Sequence, residues 1–126
     1  MRRSARHYLV VAGVVTTALA LRRRRPVRRV AVTGDSMLPA LVAGDRLVVV
    51  GGGRARVGDV VAVTDPRVPS RLLVKRVAAV GPEGVTVLGD NPTASTDSRE
   101  LGPLAPAAVR GRAVYRYFPD SRRGRL

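Results

Sequence analysis

Residues 71–90, RLLVKRVAAVGPEGVTVLGD, decide the fold class. Two short runs rich in β-branched and other apolar residues flank GPEG at residues 81–84, and that punctuation reads as strand, hairpin turn and strand. In an alternating strand, Leu73, Lys75, Val77 and Ala79 point to one face, and Val74 and Arg76 to the other. Lys75 therefore shares a face with apolar neighbours. Burial there opposes the charged ammonium and lowers its pKa.

The same pattern extends in both directions. RRVAVTG from residue 28, RLVVV from 46, DVVAVTD from 59 and the run from Val109 to Phe118 all read as strands. GGG at 51–53 and DPRVPS at 65–70 read as loops. The chain after residue 29 has no convincing amphipathic helix and no internal repeat. A mainly β domain follows over residues 30–126, a small sandwich or partly open barrel with a core of Val, Leu and Ala.

The N-terminal quarter is different. Residues 1–7 are a basic tail, residues 8–21 (YLVVAGVVTTALAL) carry no charge, and residues 22–29 form an arginine-rich linker around Pro26. A spanning helix needs about 20 apolar residues. Flanking arginines extend a shorter one by snorkelling, and LRRRRPVRR stands where a signal-peptide cleavage site would need small residues. Residues 8–21 are expected to be an anchor helix, single-pass or peripheral, with residues 8–29 meeting anionic lipid. Of the formal charge of +14, nine arginines and no acid fall in residues 1–29. Six arginines follow the apolar segment and three precede it, which places the domain on the cytoplasmic side. No nucleic-acid partner is expected, because three of the four aromatic residues cluster at Tyr115, Tyr117 and Phe118 instead of interleaving with basic groups along the chain.

Composition also restricts the chemistry. The chain has no cysteine, and its one histidine, His7, precedes the apolar segment. A thiol nucleophile, a Ser-His-Asp triad and a Cys- or His-rich metal site are excluded, and no cofactor is expected. A hydrolase built from this chain must take its base from Lys75 or a carboxylate. Lys75 is the only lysine beside twenty-two arginines, and an arginine cannot give up its proton to become a base. Ser36, in GDSMLP, follows a strand and precedes a turn at Pro39, which exposes a hydroxyl beside free N–H groups. GDNPTASTDSR at 89–99 is dense in hydrogen-bonding side chains. A hydroxyl such as Ser95 would aim the Lys75 amine without adding charge, and Asp97 and Arg99 pair with each other or brace Arg76.

Together, GDSMLPAL, GDVVAV, LVKRVAAVGP and GDNPTASTDSR resemble the ordered boxes of the bacterial signal peptidase I family of serine proteases, over residues 30 to about 118. The resemblance implies a Ser–Lys dyad of Ser36 and Lys75, with Ser95 orienting the lysine, and Asp97, Arg99 and Arg76 supporting the site. Met37 is assigned to substrate contact. Where some members carry an oxyanion-binding hydroxyl two residues before the nucleophile, this chain has Gly34, so the Ser36 N–H is the main donor. Small size, STDSR and the tail from Gly111 to Leu126 most resemble the proteases that mature nickel-type superoxide dismutase. A propeptide of such a precursor is then the expected substrate. The alternatives are a general signal peptidase acting on exported proteins, and a membrane-tethered basic adaptor without catalysis.

Overall fold

A computed structural model describes residues 25–126, so the basic tail, the anchor expected at 8–21 and the start of the linker lie outside the described residues. Among those described, no helix is long and apolar enough to cross a membrane. Seven strands form: β1 (Val27–Ala31), β2 (Arg46–Val50), β3 (Val60–Asp65), β4 (Val68–Gly81), β5 (Gly84–Leu88), β6 (Val109–Phe118) and β7 (Gly124–Arg125). One four-residue helix, α1 (Ser98–Leu101), lies between β5 and β6. The strands make a single antiparallel sheet in the order β1-β2-β6-β3-β4-β5, with β7 pairing β6.

The mainly β expectation holds; the sandwich alternative does not, because the strands form one sheet, and that sheet is not closed into a barrel. β1 and β5 remain as edges. The reason lies in β3. Its VVAVTD run does not alternate, because both faces are covered. Val60 and Ala62 join Met37, Leu41, Leu47, Val49 and Ala113 on one side. Val61 and Val63 join Leu73, Val77, Val85, Val87 and Leu104 on the other. Each fully buried valine contributes about 1.5 kcal/mol or more, so the central strand is held by two small cores.

Two boundaries and one facing differ from the sequence reading. β1 starts at Val27, inside the stretch expected to be linker, because it pairs with β2 from Val50 backwards. Within 65–70, only Pro66 and Arg67 turn. The buried Asp65 carboxylate accepts from the Arg67 backbone N–H at 2.9 Å and closes the hairpin, so β4 already begins at Val68. Ala79 does not continue the face of Leu73, Lys75 and Val77. The β4–β5 register slips between Val77 and Ala79, and Ala79 is exposed. A bulge of this kind reverses the facing of the residues beyond it.

The GPEG turn forms as expected, with Gly81 paired to Gly84. Gly84 takes φ 123°, and a Cβ there would lie 2.3 Å from the Leu104 carbonyl oxygen. Only glycine fits both demands.

Candidate active site

Two segments distant in sequence close over the middle of β4. The first is the turn after β1, which carries Ser36. The Leu38 N–H donates to the Asp35 carbonyl at 3.2 Å and the Leu41 N–H to the Met37 carbonyl at 2.9 Å, a tight loop pinned by Met37 and Leu41 in the core. Met37 is 1% exposed, so its main work is packing, although it also lines the cleft beside Ser36. Ser36 itself is half-buried, and its N–H has no protein acceptor among the described residues. The second segment, residues 89–101, follows β5. The Asn91 N–H donates to the Ser36 carbonyl at 2.9 Å and its side-chain amide to the Asp35 carbonyl at 3.1 Å. Gly89 makes this approach possible, since a Cβ there would lie 2.1 Å from Ser95 Oγ and 2.6 Å from the Ser36 carbonyl oxygen.

Lys75 projects from β4 between Leu73 and Val77 and is 3% exposed. Its Nζ donates to Ser95 Oγ at 3.1 Å, and Ser95 Oγ donates onward to Asp97 Oδ2 at 2.7 Å. The direction of this relay matters. With its own proton committed to Asp97, the Ser95 hydroxyl can only accept from the amine. The lone pair of a neutral Lys75 is thereby left for another group. Ser36 and Lys75 line one cleft of about 180 Å³, with Arg71 and Thr96 on its rim. Burial pushes the Lys75 pKa below the ordinary lysine value. Asp97 pulls it back up, while Arg71 and Arg99 push it further down.

Asp97 is fully buried, and burial alone would raise its pKa. Its partners win. Both Arg99 Nε and Nη2 donate to it, at 3.0 and 2.6 Å, along with the Gly89 N–H at 2.8 Å, the Ser95 hydroxyl and the Arg99 N–H. Its carboxyl is held far below the usual range. It also caps the first turn of α1 through the Arg99 N–H.

Lys75, Ser95, Asp97 and Arg99 are therefore joined in one hydrogen-bonded chain, and Ser36 shares a cleft with Lys75. Arg76 stands outside this group. It points to the opposite face of β4, where its Nε and Nη2 grip Asp90 at 2.9 and 2.8 Å and its Nη1 donates to the Gly58 carbonyl at 3.0 Å. It supports the site only at one remove, by fixing the start of the segment that carries Ser95. Asn91 and Asp90 were missed by the sequence reading. Their only signal was position inside GDNP, and nothing in composition says that this loop folds back onto Ser36. Among the described residues, no three potential His, Cys, Asp or Glu ligands cluster as a metal site.

A family profile described as signal peptidase, peptidase S26, matches residues 4–87. The chain belongs to the S26 signal peptidase family. That match takes in the Ser36 and Lys75 segments and ends before Ser95, whose place rests on the geometry above. A mitochondrial ATP-independent inner membrane protease subunit 1a from Arabidopsis thaliana is 35% identical over 122 residues, covering 75% of this chain and 73% of the relative. A mitochondrial inner membrane protease subunit 2 from Schizosaccharomyces pombe is 36% identical over 87 residues, covering 55% of this chain and 48% of the relative. Membership in S26 and these protease relatives make the chain a peptidase with a protein substrate.

Proposed function

We propose that this peptidase is a serine endopeptidase working through a Ser36–Lys75 dyad. The observation that carries the reading is a buried amine, held by a neutral hydroxyl, that shares one cleft with a half-buried serine on a fixed turn. Neutral Lys75 takes the Ser36 proton as Oγ attacks the scissile carbonyl. The oxyanion meets the unpaired Ser36 N–H. The resulting ammonium gives its proton to the departing amine, and Lys75 then draws a proton from the water that hydrolyses the acyl-enzyme. Ser95 positions the amine. Asp97, locked by Arg99 and Gly89, holds Ser95 without contacting Lys75 itself.

The proposed reaction is removal of an N-terminal propeptide from a nickel-type superoxide dismutase precursor. The likeness of STDSR and of the tail to that group of proteases supports this. Residues 8–29 hold the chain at a membrane, in keeping with the inner-membrane proteases it resembles, and the arginine balance sets the cleft on the cytoplasmic side. A second reading, cleavage of leader peptides from exported proteins, is favoured by the names of those same relatives. Incubating purified protein with a dismutase precursor and with a leader-bearing precursor separates the two, with product N-termini read by mass spectrometry. Cleavage of the leader alone rejects the dismutase assignment. Cleavage of either substrate by a Ser36→Ala protein rejects the dyad.

A further inference from the structure

A second cavity of about 310 Å³ opens beside β3 and β6, and it shares no lining residue with the cleft of Ser36 and Lys75. Arg25, Arg54, Arg56 and Arg112 line it, over a floor that includes Val61. The one acid lining it, Asp59, accepts from the Arg56 backbone N–H, and among the described residues none of the four guanidinium groups forms an ion pair. Five other acids, Asp45, Asp65, Asp90, Asp97 and Asp120, are each bridged to arginines that do not line this cavity. Four arginines without ion pairs, set against the single carboxylate of Asp59, leave the lining positive and match a phosphate, whose oxygens accept paired N–H donors from arginine.

The chain itself says which phosphate. Arg25 follows the uncharged run ending at Leu21 by four residues, a reach of at most about 14 Å. Two exposed valines flank the cavity in sequence, Val27 at 64% and Val57 at 67% exposure. Basic groups beside apolar ones, a few residues from a lipid-seeking segment, belong at the headgroup layer. We infer that this cavity binds the phosphate headgroup of an anionic phospholipid. The inference rests on the membrane-association reading above.

Such a site also keeps the cleft close to the bound headgroup. Lys75 pairs with Val61, and Val61 pairs with Arg112, so the three stand in one row across β4, β3 and β6. Two interstrand spacings amount to about 10 Å. A headgroup held at Arg112 therefore keeps Lys75 within about 10 Å of the strand position that holds it.

The test is partition of the full chain between vesicles of phosphatidylcholine alone and vesicles with one third phosphatidylglycerol. The apolar segment serves both vesicles equally, so the ratio isolates the charge contribution. Arg54→Gln/Arg56→Gln/Arg112→Gln should cut that ratio at least tenfold, and the loop variant Arg54→Gln alone about threefold to fivefold. A charge-matched control, Arg46→Gln/Arg123→Gln/Arg125→Gln, should cut it less than threefold. Equal losses in the two triple variants would overturn the site in favour of diffuse attraction. Micromolar binding of inorganic phosphate by the lipid-free chain, lost in the first triple variant, would overturn the lipid assignment in favour of a soluble ligand. Failure to bind either vesicle would instead reject membrane association itself.

Discussion

Ser95→Ala removes the one atom that stands between the Lys75 amine and the Asp97 carboxylate. The structure gives the hydroxyl two bonds, 3.1 Å from Lys75 and 2.7 Å to Asp97. Asp97 keeps the Gly89 N–H and Arg99 after the substitution, whereas Lys75 loses its only side-chain partner among the described residues. Loss of the charge-assisted bonds costs about 2 kcal/mol, a fall in Tm of roughly 10 °C for a domain of this size. Turnover should fall about 100-fold through misplacement of the base. The pH profile is the sharper readout. The proposed dyad requires neutral Lys75, so the acidic limb of kcat/KM should track its lowered pKa. Without the hydroxyl as spacer, the ammonium is free to pair directly with Asp97, its charged form is favoured, and the limb should move to higher pH. The assay is a fluorogenic precursor peptide followed across pH, with Tm measured in parallel. Wild-type turnover, or a limb that stays put or moves to lower pH, would refute the spacer argument.

Lys75→Arg should leave a folded protein with no measurable proteolysis, because Arg keeps the charge but cannot serve as a neutral base. Ser36→Ala should match it, and the double variant should be no worse than either single in the same assay. Lys75→Met should also be inactive yet be about 1 kcal/mol more stable, since it removes a buried ammonium that desolvation disfavours; a lower Tm would contradict that. Gly89→Ala would drive a methyl into Ser95 and the Ser36 carbonyl, with an expected stability loss of about 1–3 kcal/mol and a fall in kcat larger than any change in KM. Acid should unfold the wild type progressively. The folded-state pKa of Asp97 lies below its ordinary 3.8, so its contribution is full above that value and is lost as pH falls through the depressed one. Asp97→Asn should flatten this part of the stability curve in circular-dichroism melts.

The strands were legible because β-branched runs bounded by Gly, Pro and Asp leave few alternatives, and the run expected from Val109 to Phe118 matched β6 end to end. What escaped depends on pairing. The slip between Val77 and Ala79 has no Gly or Pro to announce it. DPRVPS looked like a loop by composition, yet one aspartate side chain closes a two-residue turn within it. β7 has only two residues and hence no period to detect. The site shows the same division. Lys75 and Ser36 stand out in the sequence by residue type and motif, whereas the partner of Arg76 is set by register. Pairing of Arg76 with Leu88 brings Asp90 within reach, and no spacing rule distinguishes that from a bond to Asp97.

The short helical turns at Pro92–Ala94 and Ser98–Leu101 bury no residue of their own. The segment that aims Lys75 is thus fastened mainly by polar contacts at Gly89, Asn91 and Asp97, with Leu101 at its end packed against one of the two apolar cores. Segments held in this way open at free energies well below global unfolding. Catalytic competence then has a melting point of its own. Hydrogen exchange at Asn91 and Leu101 should outpace exchange at Val61, and warming should silence the enzyme reversibly while the sheet remains intact.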